Sequence, residues 1–323
     1  MSTSPSRVSK STLLKAAVSL AIVALIISRI QLRTVGALLL TARPGVLALA
    51  TSMIVLQLVV GANNSRILLN TQKRLPFARV FKYYCFGWTA GLVSVGKIGE
   101  FSITYYLKQE GLPYSKSLAI VLLDKVVTLA VYLSAAVCGT LWFFGFSNHL
   151  LLAFDAAILS GLAGVIWFFL RQDLPFASLL ARIPKLNALL TARMSSLATF
   201  RETFAEFFHL HRAALIRNVL GTFLKLAVTS LNGSVLFIAI NTHINPVYMM
   251  FVIAIAAIMA LFPVSLSGLG VTDATFIYLA SLVDIPAEAA VATELLSIAG
   301  AYVVASIIAI GWTLTKRTGA SST

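Results

Sequence analysis

The sequence predicts an all-α membrane protein with several transmembrane helices, on the basis of three observations. Of its 323 residues, 59% are hydrophobic and 11% are charged, whereas soluble domains carry about 25% charged residues. The mean hydropathy is +0.92. Several apolar stretches approach the roughly 20 residues that a helix needs to cross a bilayer. These stretches are continuous rather than alternating, so they indicate helices and not the strands of a transmembrane β-barrel.

The apolar stretches predict six full spans and two re-entrant hairpins made of broken helices. The spans are expected at 13–30, 46–62, 118–146, 150–170, 214–240 and 289–314. The hairpins are expected at 81–110 and 247–283, where glycine-rich turns interrupt apolar sequence. Asn63 and Asn64 are expected to end the second span. One integral membrane domain then covers residues 1–323.

Residues 171–212 form a basic amphipathic linker between the two hairpin-containing halves. Leu and Phe recur there at helical spacing among Arg and Lys side chains. The linker either lies on the membrane surface or packs on the helices as a cytoplasmic connection. Both alternatives stay open from the sequence.

Basic residues set the expected orientation. The net charge is +14, from 25 Lys and Arg against 11 Asp and Glu. If both hairpins are re-entrant and the N-terminus is inside, the external loops hold only Arg29, Arg33 and Arg43, in agreement with the positive-inside rule. We therefore expect cytoplasmic termini in a bacterial inner membrane, an interfacial helix within 29–43, and no nucleic-acid partner.

The order of the segments predicts an inverted repeat. Residues 46–146 and 214–314 each contain a span, a hairpin and a second span, and the two hairpins enter from opposite sides. Inverted repeats of this kind are typical of transporters, whose substrate sites lie near the midplane between broken helices.

The two breaks contain the residues that we expect to bind a substrate. Irregular backbone is tolerated in a membrane only inside protein or along a wet cavity, and ionisable residues there are candidates for function. Half-helix N-termini attract anions, and glycines allow a phosphate to approach the backbone. The candidate substrate-binding residues are Gly96, Lys97, Gly99, Glu100, Asp124, Lys125, Ser267, Gly268, Gly270, Asp273 and Glu294.

Structural roles are also open for several of these side chains. Lys97 and Glu100 have the spacing of a helical ion pair, and Glu100 and Asp273 can each pair with Lys97 or Lys125. Asp273 can instead cap the helix that follows the second break. Asp124 and Lys125 are adjacent, so we expect them on different sides of a helix. Lys225 can extend along its span to reach the membrane interface.

Catalysis is not expected from these residues. A lone Lys–Glu pair can transfer protons, but no nucleophile, base and orienting group occur together, and the histidines have no zinc-binding spacing. Cys85 and Cys138 fall inside apolar helices and are expected to be core residues. We expect neither a metal nor a cofactor.

Two segments resemble a known family. "SVGKIGEFSITYYLKQEGLPYSKSLAIVLLDKVV" (94–127) resembles the first signature of the lysylphosphatidylglycerol synthase transmembrane (flippase-like) family, and "LFPVSLSGLGVTDATF" (261–276) resembles its second. The resemblance implies that the chain moves or presents polar-headed lipids across the bilayer. The matching motif positions are Gly96, Lys97, Gly99, Glu100, Asp124, Lys125, Pro263, Gly268, Gly270 and Asp273.

Three positions depart from the family pattern. Lys97 replaces an arginine, which removes bidentate phosphate binding and leaves a point charge. Thr104 and Ile298 stand where further arginines are usual, so we expect a less basic cavity. The soluble aminoacyltransferase domain of the full synthases is not expected in this chain, and neither is synthesis of lysyl-lipid.

Three functions therefore compete. The first is a flippase for an anionic or glycosylated lipid, with the headgroup held between the hairpin tips. The second is a proton-coupled transporter of a small solute. The third is a non-transporting membrane partner of an enzyme that makes envelope lipids or glycans. Membrane lipids are the expected partners in the first case.

Overall fold

A computed structural model of the chain describes residues 10–170, 202–259 and 270–320, and every regular element in these ranges is a helix. We number the α-helices in chain order and refer to one 3₁₀ helix by name. The elements are α1 (Lys10–Arg29), α2 (Leu32–Leu40), α3 (Pro44–Leu69), α4 (Phe77–Val93), the 3₁₀ helix (Val95–Ser102), α5 (Ile103–Gln109), α6 (Tyr114–Phe144), α7 (His149–Leu170), α8 (Arg212–Ala239), α9 (Pro246–Met259), α10 (Val271–Ser281) and α11 (Ala287–Ala320). A further helical segment covers 202–209.

Four of these helices are long and apolar enough to cross a membrane: α3, α6, α8 and α11. They confirm four of the six expected spans. The expected first span, 13–30, corresponds to α1, and the chain bends by 81° between α1 and α2. The apolar part of α7 over residues 149–164 is a shorter helix. The chain thus has four or five membrane-spanning candidates among its described residues.

Apolar side chains on the outside of these helices are consistent with a bilayer around them. Ile307 is 64% exposed, Leu220 62% and Ile310 60%. Soluble proteins rarely expose contiguous apolar patches of large extent. In a membrane these side chains face lipid tails instead of water.

The helix α3 is longer than predicted, and the expected end at Asn63 and Asn64 is wrong. The helix continues to Leu69. Asn64 is buried, and its Nδ2 donates a hydrogen bond of 2.9 Å to Thr222 Oγ1 on α8. A polar side chain between two membrane helices can be satisfied by the neighbouring helix, so Asn64 holds α3 to α8 and does not mark a terminus.

Two segments outside the spans are helical. The interfacial helix expected within 29–43 corresponds to α2, which packs against α11. In the linker, Phe204 and Phe207 are fully buried in a cluster with Leu68 and Leu69 of α3. Residues 202–209 therefore pack on the helices, and the cytoplasmic location of the linker stays a prediction. The rest of the linker, 171–201, lies outside the described residues.

The segment from α4 to α5 is a hairpin whose two arms touch along their length. The chain reverses at Ser94, and a Cβ added to Gly99 would lie 2.3 Å from the carbonyl carbon of Ala90. Only glycine permits so close an approach. The Tyr83 and Tyr106 rings stack with centroids 5.1 Å apart. We call this segment hairpin one. Its first and last residues therefore lie beside each other.

The break in hairpin one is a 3₁₀ helix, not the irregular turn expected from its glycines. Its eight residues, Val95–Ser102, run back along α4. The Gly99 N–H donates to Ser94 Oγ over 2.8 Å. Helical hydrogen bonding satisfies backbone groups that would be costly in a low-dielectric surrounding.

The helices α9 and α10 pack against each other and form hairpin two. Met249 and Val252 share a buried cluster with Phe276 and Leu279. The tip between the helices, 260–269, lies outside the described residues. At the start of α10, Gly270 has a φ of +83°, a conformation that favours glycine.

The packing of the two halves is matched pair by pair. We call α3, hairpin one and α6 the first unit, and α8, hairpin two and α11 the second. Within the units, α3 contacts α4 as α8 contacts α9, and α5 contacts α6 as α10 contacts α11. Between the units, α3 contacts α11 as α8 contacts α6, and α4 contacts α11 as α9 contacts α6. The helices α3 and α8 pack against each other at the centre.

Candidate functional site

A cavity of about 560 Å³ lies between hairpin one and the helices α3, α6 and α8. One part of its wall is polar or charged, and the other part is apolar. The polar side chains belong to Ser65, Tyr84, Glu100, Asp124, Lys125 and Lys225. The apolar part of the wall is formed by Leu68, Leu69, Trp88, Ile103, Ile120 and Val121. We call this the first cavity.

Glu100 forms an ion pair with Lys125 in the first cavity. The pair joins the 3₁₀ helix of hairpin one to α6. The sequence left Lys97 and Lys125 as possible partners of Glu100, and the structure shows Lys125 in contact with it. The backbone of Gly96 and Lys97 belongs to the same 3₁₀ helix, and the Lys97 side chain lies outside the described residues.

Asp124 and Lys125 both line this cavity, and, as expected for adjacent helical residues, they contact different neighbours. Successive helical residues differ by about 100°, and the cavity extends far enough around α6 to meet both. Asp124 Oδ1 accepts a hydrogen bond of 2.9 Å from Asn218 Nδ2 on α8. The same Nδ2 also donates to the backbone oxygen of Asn64 over 3.3 Å. This chain of polar contacts fixes Asp124 against α3 and α8.

Lys225 points into the first cavity and does not extend to the interface. Its Nζ donates a hydrogen bond of 3.0 Å to the Tyr84 hydroxyl and lies 5.7 Å from the centre of that ring. The ion pairs found among the described residues do not include Lys225. The sequence signal for this residue was its charge inside a span, and its position opposite hairpin one became clear only in three dimensions.

A second cavity lies between hairpin two and the helices α3, α8 and α11, with a volume of about 1700 Å³. Glu294 is the charged residue in its described wall. Most of its polar side chains are hydroxyls and amides. They belong to Gln57, Thr229, Asn232, Thr272, Thr293 and Ser297.

Asp273 and Glu294 lie near each other beside the second cavity. Asp273 also caps α10, because its Oδ2 accepts the Gly270 N–H over 3.0 Å. The capping role that the sequence left open is therefore confirmed, and Asp273 pairs with neither Lys97 nor Lys125 among the described contacts.

Among the described residues, the candidate side chains line two cavities. The expected site between the hairpin tips stays a prediction, because the tip of hairpin two lies outside the described residues. Glu100, Asp124 and Lys125 line the first, and Glu294 lines the second with Asp273 beside it. Trp88 of α4 lines both cavities. Ser267, Gly268 and Pro263 lie outside the described residues.

The side chains that could bind a metal ion are those of His, Cys, Asp and Glu. Within 10–170, 202–259 and 270–320, no group of three His, Cys, Asp or Glu side chains is placed to hold a metal ion. Cys85 and Cys138 are free thiols. Cys85 is buried as expected, whereas Cys138 is exposed, so its expected place in the core is wrong.

The fold and its sites define the class of the protein. A helical chain with at least four membrane-crossing candidates and charged groups around internal cavities is an integral multi-pass membrane protein. The family model described as lysylphosphatidylglycerol synthase TM region matches residues 12–309, so the chain belongs to this family. The match confirms the resemblance found in the two motifs. The comparison with curated proteins finds no match.

Membership links the chain to the biosynthesis or transport of membrane and envelope lipids. The motif residues Glu100, Asp124 and Lys125 all line the first cavity. The acidic residue of the second motif, Asp273, belongs instead to the carboxyl pair beside the second cavity.

Proposed function

We propose that this protein moves a lipid with an anionic or glycosylated headgroup across the membrane, and that the first cavity binds the headgroup. Lys225 carries this proposal. Its ammonium group lies in the cavity, and its hydrogen-bond partner is the neutral hydroxyl of Tyr84. A charge taken out of water is costly unless it is paired. Lys225 forms no ion pair among the described contacts, although Asp124 lies in the same wall. A headgroup phosphate entering the cavity can therefore accept a hydrogen bond from the ammonium group of Lys225.

The rest of the wall suits an amphiphile. Lys125 is held by Glu100 and can share its remaining hydrogens with a phosphate, because an ammonium group has three donors. Leu68 and Ile120 offer apolar surface to the glycerol and the first methylene groups of a lipid.

The architecture that we propose for transport is the inverted repeat. The matched contacts of the two units support it, because exchanging the units leaves the pattern of helix contacts unchanged. Hairpin one has both ends on one side, as a re-entrant segment requires. In such proteins the two units rock against each other around a central site. We place both termini in the cytoplasm of a bacterial cell, on the charge distribution.

The test is lipid movement in liposomes. The protein is reconstituted with fluorescent phosphatidylglycerol or phosphatidylcholine, and dithionite quenching reports the lipids that reach the outer leaflet. The wild type should move phosphatidylglycerol faster than the zwitterionic lipid. Lys225→Gln should lower that rate about tenfold, since a charge-assisted hydrogen bond contributes about 1.5–3 kcal/mol and 1.4 kcal/mol is a factor of ten.

Lys108→Gln is the matched control. Lys108 is an exposed lysine of α5 outside both cavities, so its replacement should leave the rate unchanged. Equal rates for Lys225→Gln and the wild type would remove Lys225 from the site. A folded wild type that moves neither lipid would contradict the proposal and favour the solute-transport or partner functions.

A further inference from the structure

Tyr84 of α4 is the residue that holds Lys225 in the first cavity. The Lys225 ammonium group donates a hydrogen bond of 3.0 Å to the Tyr84 hydroxyl oxygen. A tyrosine hydroxyl is both an acceptor and a donor. The bond from Lys225 uses the oxygen as an acceptor, and the hydrogen bonds of the described residues give the hydroxyl hydrogen no acceptor. Tyr84 lines the cavity, so this hydrogen is available to a ligand.

Gly61 of α3 provides the space for the Tyr84 hydroxyl. Gly61 is buried in the packing of α3. A Cβ added to it would overlap the hydroxyl group and part of the ring of Tyr84. Small residues allow such close contacts between packed membrane helices. A larger residue at position 61 would therefore displace the hydroxyl from its place beside Lys225.

The ring of Tyr84 packs against two apolar clusters. One contains Leu68 and Leu69, and the other contains Leu58 and Cys85. Packing of this kind fixes the rotamer of a side chain. The position of the Tyr84 hydroxyl is therefore determined before a ligand binds.

The other charged side chains of the first cavity bond to protein groups. Lys125 forms an ion pair with Glu100, and Asp124 accepts a hydrogen bond from Asn218. Each of these contacts uses an acceptor within the protein.

Lys225 and Tyr84 together present hydrogen-bond donors from two neighbouring atoms. An ammonium group has three hydrogens and a hydroxyl group has one. After the bond between the two residues, two ammonium hydrogens and the hydroxyl hydrogen remain. An ionised phosphate has several acceptor oxygens on one centre, and its hydrogen bonds with such donors are strengthened by its charge.

We propose that Tyr84 is a specificity-determining residue of the headgroup site. It holds the Lys225 ammonium group in the first cavity and donates its own hydroxyl hydrogen to the same phosphate group. Gly61 is a positioning residue, because it acts through Tyr84. This inference rests on the proposed function, since it adds two residues to the site assigned to Lys225, and it identifies the phosphate as the part of the lipid that the site recognises.

Lipid binding to the purified protein tests this role without any transport. A ligand that binds the folded state raises the melting temperature in proportion to its affinity and concentration. The protein in detergent is titrated with phosphatidylglycerol or with diacylglycerol, which has no phosphate. Tyr84→Phe keeps the ring and removes the hydroxyl. It should lower the affinity for phosphatidylglycerol about tenfold, as expected for one hydrogen bond to a charged group, and leave diacylglycerol binding unchanged.

Tyr106→Phe is the matched control. Tyr106 is a partly buried tyrosine of α5 that stacks on Tyr83 outside both cavities. Its replacement should leave the affinity for phosphatidylglycerol unchanged. Wild-type affinity in Tyr84→Phe overturns the inference. An equal loss of affinity for both lipids also overturns it, because that result indicates a structural role only.

Gly61→Ala tests the positioning role separately, because it keeps the hydroxyl but moves it. Alone, it should weaken phosphatidylglycerol binding. Combined with Tyr84→Phe, it should add little, because the hydroxyl through which Gly61 acts is already absent. Additive losses would overturn the positioning role, since coupled residues give non-additive effects.

Two further results separate this inference from the proposed function. Stabilisation by inorganic phosphate equal to that by phosphatidylglycerol would overturn the lipid as the ligand. Loss of binding in Lys225→Gln but not in Tyr84→Phe keeps the proposed site and overturns the role of Tyr84. Loss of binding in both variants, in a protein that moves no lipid in liposomes, supports the role of Tyr84 and contradicts transport.

Discussion

The two cavities occupy related places in the two units but differ in chemistry. The first cavity contains Lys125 and Lys225 beside Glu100 and Asp124. The described wall of the second contains hydroxyls, amides and Glu294, with no lysine or arginine. The two units thus have matching helix contacts, but the charged side chains in their cavities differ. Among the described residues, only the first cavity therefore offers ammonium groups to an anion.

Reversing the charge of Lys225 should have the largest effect on this comparison. Lys225→Glu makes the first cavity acidic like the second and brings a carboxylate near Asp124. We expect movement of phosphatidylglycerol to fall about a hundredfold, since a lost favourable contact and a new repulsion together amount to about 3 kcal/mol. The dithionite assay measures this, with Lys108→Glu as the control. An undiminished rate would show that the anion binds elsewhere.

Filling the contact between the arms of hairpin one should disturb the first cavity alone. In Gly99→Val the new side chain meets the Ala90 carbonyl. Overpacking of this kind destabilises by about 1–3 kcal/mol, so the melting temperature in detergent should drop. Movement of phosphatidylglycerol should also fall, because Glu100 of the same 3₁₀ helix lines the first cavity.

The control for this change is Gly161→Val on α7, where an added Cβ has no neighbour within 4 Å. Its melting temperature should fall less. Equal melting temperatures of the two variants would contradict a tight contact between the arms of hairpin one.

Removing Trp88 should weaken the separation of the cavities. Trp88 lines both, so Trp88→Ala should join their volumes and let protons pass without lipid. A pH-sensitive dye inside the liposomes should report faster acidification than in the wild type. Trp142→Ala, which removes an exposed tryptophan outside both cavities, is the control. Equal proton flux in the two variants would contradict a separating role for Trp88.

The smallest expected effect concerns the open end of hairpin one. The Tyr83 hydroxyl donates a 2.6 Å hydrogen bond to Glu110, and Arg79 Nη1 lies 2.8 Å from its other oxygen. The Tyr83 hydrogen bond, followed by that of Arg79, lowers the pKa of Glu110 below its ordinary value. A carboxyl whose pKa is lower in the folded state stabilises the protein above its unfolded-state pKa, and this contribution is lost as the pH falls through the folded-state value.

Glu110→Gln should remove that pH dependence. At neutral pH the variant should be less stable by about 0.5 kcal/mol, the usual worth of a solvent-accessible ion pair. At acid pH the two proteins should converge. Melting curves at the two pH values measure this, and a difference that grows towards acid pH would have the opposite sign from the one expected.

Several elements were predictable from sequence because their cause is local. Apolar runs of sufficient length gave α3, α6, α8 and α11, and glycine-rich breaks gave the two hairpins. Glu100, Asp124 and Lys125 were identified because an ionisable residue is conspicuous in an apolar segment. The family resemblance rested on the same residues.

The rest depended on contacts between distant segments. The sequence alone indicates a helix terminus at Asn64, and only the contact with Thr222 of α8 explains why the residue lies inside α3. The sequence alone allows Lys225 to reach the membrane interface, and only the contact with Tyr84 shows that it points into the first cavity. No local pattern indicates that Asp273 lies near Glu294, or that Trp88 lies between two cavities. These partners are brought together by helix packing, which hydrophobic periodicity does not specify.

The most direct test of the difference between the cavities compares one variant in each. Phosphatidylglycerol movement is followed for the wild type, Lys225→Gln and Glu294→Gln at equal pH on both sides of the membrane. We expect Lys225→Gln to lower the rate about tenfold, from the loss of about 1.4 kcal/mol of binding. We expect Glu294→Gln to lower it less, because Glu294 lies in the second cavity. An equal loss in the two variants would contradict an anion site in the first cavity.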